Sequence, residues 1–485
     1  MLKPTCLCLG LMALFLPTAV MAAAADDGAD VIAVLDAYAP RQAEVGLQLW
    51  QQPELGYLEQ ASSALLQREL RDAGFRIQAG VAGMPTAFVA SYGRRGKGPV
   101  IALLAEMDAL PGMAQAATPV RTPIAGQDAG QACGHNLFGA ASVGAVRAIA
   151  QWLQHSGQEG EVRLYGTPAE EGGSGKVYMT KAGLFDDVDV VLHWHPSAEN
   201  SAAQGTSLAN ISGKFRFHGR AAHAAIAPER GRSALDGVEA FNYMANLMRE
   251  HVPEGTRIHY IISNGGAAPN VVPDEAEAYY YVRHTDPAVV RDVVERLRKA
   301  AEGAALGTGT RVEFEQTGGV FSLLPNDTLG QVMQAALQQV GGVHYDAAEQ
   351  AFAQQLQQSL EKHPDLKQAT ALQAYRADLA GSASTDVGDV SWNVPTVGVG
   401  TATWVPGTPA HSWQAVAASG MSIGNKGALN AAKVLALAGV TLLQSPETIV
   451  AAKNEFTARR GEAFRYQPLL QRENPPLDYR RKPEP

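Results

Sequence analysis

Between residues 99 and 195 the chain repeats one pattern that leaves few folds open. "PVIALLAEM" (99–107) is a continuous apolar run of strand length, and "LFGAASVGAVRAIAQWL" (137–153) spaces its small and apolar residues as a helix does. "EVRLYGTP" (161–168) reads as a strand, "GSGKVYMTKAGLF" as a short helix and "VDVVLHWHP" as a further strand. Strands that are apolar on both faces and alternate with helices predict an α/β domain, a mostly parallel sheet covered on both sides. In such sheets reactive groups gather beyond the carboxyl ends of the strands. Each chemistry-bearing motif below is expected at such an end.

The middle of the chain follows another order. "GKFRFHG" (213–219) alternates as a strand and 232–250 has a helical period. "RIHYIIS" (257–263) and "EAEAYYYVRH" (275–284) are consecutive strands. "PAVVRDVVERLRKAAEG" is a helix with proline in its first turn, and "TRVEFEQT" is a strand. The order β-α-β-β-α-β predicts a ferredoxin-like domain inserted at 210–320, between catalytic segments 27–209 and 321–445. Helices around 327–341, 347–361 and 422–443 and a strand at "PTVGVGTATW" return the chain to the first domain. The stretch 446–485, ending "RENPPLDYRRKPEP", reads as a surface-lying or partly disordered tail.

Residues 1–24 have the make-up of a signal peptide: Lys3, an apolar run from Leu7 to Leu16, then small residues. The expectation is export to the periplasm or beyond, with no membrane attachment once the leader is gone. Cys6 and Cys8 fall in that leader, so Cys133 is the one cysteine of the mature chain. A net charge of -9 without basic clusters excludes nucleic acid as a partner.

Four short segments carry ligand-type side chains: Cys133-Gly134-His135, Glu170-Glu171 in "PAEEGGSG", His193 and His195 in "HWHP", and His411 in "GTPAHSW". Thiolate, imidazole and carboxylate together suit zinc and neighbouring divalent metals. Two adjacent carboxylates at a buried strand end repel unless cations are present. If one ligates a metal, the other is left as a general base for a water whose pKa the metal lowers towards ~7. A metal would also hold the lone thiol as thiolate and protect it from stray oxidation. His193, His218 and His259 read as structural.

"AEMDALPGMAQ", "ACGHN", "TPAEEGGSGK", "GRAAHAA", "PNVVP" and "GTPAHSWQ" follow one another in an order that resembles the aminoacylase/carboxypeptidase family of metallopeptidases, in its Cys-Gly-His amidohydrolase branch. The likeness runs from about residue 30 to 445 and is closest to the aminobenzoyl-glutamate hydrolase type. It implies a two-metal catalytic domain and an inserted domain that also makes a homodimer. The implied ligands of two divalent ions are Cys133, His135, Glu171, His195 and His411, with Glu170 as general base. Zinc and manganese are the favoured metals, with cobalt and nickel possible. His223 of "GRAAHAA" would stabilise the oxyanion in the partner's active site. Asn270 and Arg283 would hold substrate, and Asp108 would orient a ligand. Asn136 and Gln131 stand where many relatives have Asp and His, and neither is a ligand position. The implied reaction is hydrolysis of the amide of an N-acyl or aminobenzoyl amino acid with a free carboxylate. A dipeptidase or N-acyl-amino-acid amidase would use the same machinery. A non-catalytic periplasmic binding protein would explain the leader and the lobes but not the converging ligands.

Overall fold

The computed structural model describes residues 18–481, with side chains from residue 27. The leader read at 1–24 lies outside the described residues except for the backbone of 18–24, which opens a helix running Thr18–Gln51.

Among the described residues twelve strands follow in chain order. β1 (Arg76–Ala79), β2 (Phe88–Gly93), β3 (Val100–Ala105), β6 (Glu161–Gly166), β7 (Val190–Ser197) and β12 (Thr396–Ala402) form one sheet in the order β1-β2-β6-β3-β7-β12. The pairs β6–β3, β3–β7 and β7–β12 are parallel, whereas β1 and β2 make an antiparallel edge. β3 and β6 are buried along their whole length, as strands covered on both faces must be. Helices His135–Ser156 and Ser422–Gln444 pack together against this sheet. Ser422–Gln444 is long and apolar enough to cross a membrane, but 72% of its apolar window is buried in the protein. It is a core helix.

β4 (Leu110–Pro111) and β5 (Ala129–Gly130) form a small separate ribbon. The inserted domain contributes β8 (Ala209–His218), β9 (Arg257–Asn264), β10 (Glu275–His284) and β11 (Arg311–Val320), ordered β11-β8-β10-β9 and antiparallel throughout. Alternation on β8 sends Phe215 and Phe217 into the core and Lys214 and Arg216 outward, the period-2 rule of a sheet covered on one face. Two helices cover that face. Ala234–Met248 is capped by Ser233, whose Oγ accepts from Asp236 N–H at 3.1 Å. Pro287–Thr308 starts on Pro287 after Asp286, whose carboxylate accepts from Ala288 N–H at 2.8 Å.

The last segment, expected to lie over the surface or to be partly disordered, does run over the surface but is anchored: Pro446–Arg460 is a helix that buries Ile449 and Phe456. Beyond it the chain runs on across the protein and buries Leu469 and Leu470. Few apolar residues were enough, because they meet preformed surfaces of both domains. The Cys-Gly-His motif, moreover, does not sit at the end of a strand of the main sheet. It follows β5 and begins the helix His135–Ser156.

Candidate functional site

Four parallel strands deliver side chains to one edge of the sheet. β3 ends at Ala105, level with Gly166 of β6, so Glu106 and Asp108 emerge beside the turn that carries Glu170 and Glu171. β7 supplies His195 directly, and the loop after β12 supplies His411. Cys133 and His135 approach from the helix side. Gly134 links them at φ +72°, and a Cβ there would lie 2.8 Å from Pro196 Cβ. Only glycine lets the helix start press against the residue after His195.

The backbone around these groups is held in uncommon conformations. Ala169, Ser174 and His411 all have positive φ, at 58°, 60° and 57°. Such strain persists where surroundings over-determine it. Buried Glu59 accepts the Ala169 N–H at 2.8 Å and the Thr86 hydroxyl at 3.0 Å. Burial and the nearby Asp108 push the Glu59 carboxyl up to about 8.

Two sets of three ligand atoms converge, each within 4.8 Å: Cys133, His135 and His195 in one, Cys133, Glu171 and His411 in the other. The sulfur of Cys133 belongs to both, and lies 3.4 Å from His195 Nε2. His135 Nδ1 faces the Asp108 carbonyl and Oδ1, each at 3.0 Å, and His195 Nδ1 faces the Pro196 carbonyl at 2.8 Å. These oxygens only accept, so each Nδ1 carries a proton, and Nε2 is the atom left to meet a cation. Asp108 Oδ2 also accepts the Glu171 N–H at 2.9 Å, so one carboxylate positions two of the converging residues.

The donor set passes a direct test of fit to cations. His135 Nε2, Glu106 Oε2 and Glu171 Oε1 are buried without any hydrogen-bond partner. Yet His135 Nε2 and Glu106 Oε2 stand 3.0 Å apart, and His411 Nε2 and Glu171 Oε1 3.1 Å apart. The buried atoms among these are unsatisfied as they stand, and the His411–Glu171 pair lies inside one of the two triads, where a cation would meet both. The electrostatics agree. Burial alone would lower the His135 pKa, but Cys133, Glu106 and Asp108 hold it well above the usual imidazole range. The place wants positive charge. Burial pushes the Glu170 carboxyl well up, and Glu106, Glu171 and Asp386 push it further, against the pull of Lys176.

Glu106, Lys176 and Asp386 escaped the sequence reading. Lys176 is fully buried, its Nζ 2.7 Å from both Glu106 Oε1 and Asp386 Oδ1. Breaking a buried pair of this kind costs about 3–5 kcal/mol, because the remaining charge is stranded. Glu106 also joins His135 and Glu170 in a third converging group. One signal was available: Glu106 and Asp108 stand two apart past a strand end, a spacing that sends both to one face. Nothing local marks Lys176 or Asp386.

The remaining expected residues divide. Arg283 lines a cavity of about 360 Å³ together with Glu170, Glu171 and His411, and donates to Ser384 Oγ at 3.2 Å. His223 and Asn270 are exposed neighbours in the inserted domain; the Asn270 carbonyl accepts from Ala224 N–H at 3.0 Å. Neither lines that cavity within the subunit. His223 Nδ1 accepts from the N–H groups of Ala225 and Ile226, which leaves Nε2 outward. His193 packs against Gly398, and loss of water around its ring lowers its pKa to about 4.

Known proteins resemble the chain over most of its length. One of the two chains of the p-aminobenzoyl-glutamate hydrolase of Escherichia coli is 41% identical over 435 residues, 84% of this chain and 90% of that one. The family model of the peptidase dimerisation domain matches residues 209–308. Among solved structures, an aminobenzoyl-glutamate utilization protein from Klebsiella pneumoniae covers 82% of this chain and 97% of its own, with a TM-score of 0.58 at 21% identity. A dinuclear metal-binding peptidase of the M20 family from Bacillus subtilis covers 84% and 99%, again with a TM-score of 0.58, at 20% identity.

Proposed function

From the premise that the chain belongs to the M20 family of metallopeptidases, we propose that it hydrolyses the amide of an N-acyl or aminobenzoyl amino acid bearing a free carboxylate. That it is a hydrolase of linear amide bonds follows from its relatives and sets aside a binding protein without chemistry. One observation carries the finer reading: two ligand triads share Cys133, and Glu170 stands outside both, converging instead with Glu106 and His135 beside them.

Cys133, His135 and His195 would hold one divalent ion, and Cys133, Glu171 and His411 the other, with zinc or manganese favoured by the mixed S, N and O donors. When bound, such ions polarise the scissile carbonyl and make an attacking water acidic at neutral pH. Glu170 takes the proton from that water and later delivers it to the departing amine. Asp108 keeps His135 and Glu171 in place throughout. Arg283, on the cavity wall, meets the free carboxylate of the substrate.

His223 would complete the site of a partner copy. The inserted domain supports this: its edge strand β9 exposes Ile261 and Ile262, and the helix beside it exposes Tyr243 and Leu247. Glu170→Gln and His223→Ala, each inactive alone, should regain activity when mixed, because one mixed pair of protomers combines an intact Glu170 with an intact partner histidine. Failure of mixing to restore any turnover would exclude a shared site.

The function itself is tested by incubating metal-loaded protein with N-(4-aminobenzoyl)-glutamate and other N-acyl amino acids and measuring the freed amino acid. Turnover should vanish on chelation and return with zinc or manganese. Turnover that survives complete metal removal would refute the reading.

A further inference from the structure

The chain's last described residues strap the two domains together and end at the site. Tyr466 Oη donates to buried Asp389 at 2.7 Å. Leu469 joins the core of the inserted domain and Leu470 that of the catalytic domain. Gln316 on β11 donates to the Leu469 carbonyl at 2.8 Å and accepts the Gln471 N–H at 3.1 Å. On the catalytic side Tyr178 donates to the Asn474 carbonyl at 3.2 Å, and Tyr479 meets Tyr57 edge-on, with ring centroids 5.7 Å apart. The strap thus fixes Arg480, whose Nη2 donates to the Glu171 carbonyl at 2.5 Å.

Arg480 lines the same cavity as Arg283, Glu170 and His411. Among the described residues neither arginine has a carboxylate partner: Arg283 donates to a hydroxyl and Arg480 to a peptide oxygen. Arg480 Nε is buried and makes no hydrogen bond at all. A guanidinium presents five donors in a planar fork that matches a carboxylate. With one donor spent on a carbonyl and the guanidinium resting on the Tyr479 ring, Arg480 still has donors that no carboxylate satisfies. The two arginines come from opposite parts of the chain, one from a strand of the inserted domain and one from the strap. A substrate with a single carboxylate leaves one of them unmatched.

We infer that Arg480 is a specificity-determining residue that binds a second anionic group on the substrate, so that the site selects N-acyl derivatives of dicarboxylic amino acids. The inference rests on the amidohydrolase reading above and adds to it the choice of substrate. The experiment compares N-(4-aminobenzoyl)-glutamate with N-(4-aminobenzoyl)-glutamine, which differ in one charge and little in shape. The wild type should favour the glutamate compound. Arg480→Ala should raise its KM by roughly 10- to 100-fold, the loss expected of one charged hydrogen-bonded pair, while kcat, metal content and kcat/KM for the glutamine compound stay unchanged. Arg480→Lys, which keeps the charge without the fork, should fall between. Equal losses on both substrates, or a loss of bound metal, would make Arg480 a mere prop for Glu171 and overturn the inference. So would no change on either. If the wild type cleaves neither compound nor any other N-acyl amino acid, the amidohydrolase reading falls first and takes this one with it.

Discussion

Cys133→Ala is expected to empty both cation positions at once and to lower kcat/KM by at least ~10²-fold, since Lewis-acid stabilisation worth several kcal/mol is lost. The reason is geometric. The sulfur stands in both ligand triads, whereas His195 and His411 each stand in one. His411→Ala is therefore the informative control: it should lose the equivalent of one ion, and Cys133→Ala both, as read by elemental analysis. Burial pushes the Cys133 thiol well above its usual range, partly offset by His135. Without cations the thiol is protonated at neutral pH, so cation uptake must displace that proton. Affinity should accordingly fall as pH falls, with proton release measurable by calorimetry in buffers of different ionisation enthalpy. A Cys133→Ala protein that still holds two ions and turns over normally would dismantle the shared-ligand arrangement.

Glu170→Gln is expected to reduce kcat by ~10²–10⁴-fold, the usual contribution of a positioned acid and base, with metal content preserved. Gln keeps the shape of the side chain but cannot accept and return a proton. The comparison with Glu171→Gln separates the two neighbours, because Glu171 shares a triad with Cys133 and His411 and Glu170 does not. Loss of metal in the Glu170 variant, or near-normal kcat, would mean that the two roles have been assigned the wrong way round.

The segments with ligand-type side chains were legible because each is a short local motif: Cys-Gly-His at a helix start, the Glu pair and His411 in turns after strands, and His195 within an alternating strand. "HWHP" even revealed its own alternation, with fully buried Trp194 on one face of β7 and both histidines on the other. The buried Lys176–Asp386 pair was not legible, since 210 residues separate its partners and each looks like an ordinary surface charge until they meet. The strap misled for a related reason. Its proline and charge content argue for disorder, yet Leu469, Leu470 and Tyr479 find apolar surfaces made entirely by distant segments.

Periodicity and short motifs, readable residue by residue, were enough to determine the two-domain α/β architecture, the inserted four-stranded sheet and the ligand types. Only the tertiary structure decided that one sulfur lies in two converging triads, that a buried ammonium joins two carboxylates, and that Arg480 reaches the cavity wall. The division has a physical cause. Backbone preferences act over a few residues and leave a trace in the local pattern, whereas a shared ion site or a buried charge pair depends on distances in space between segments whose sequences carry no record of one another.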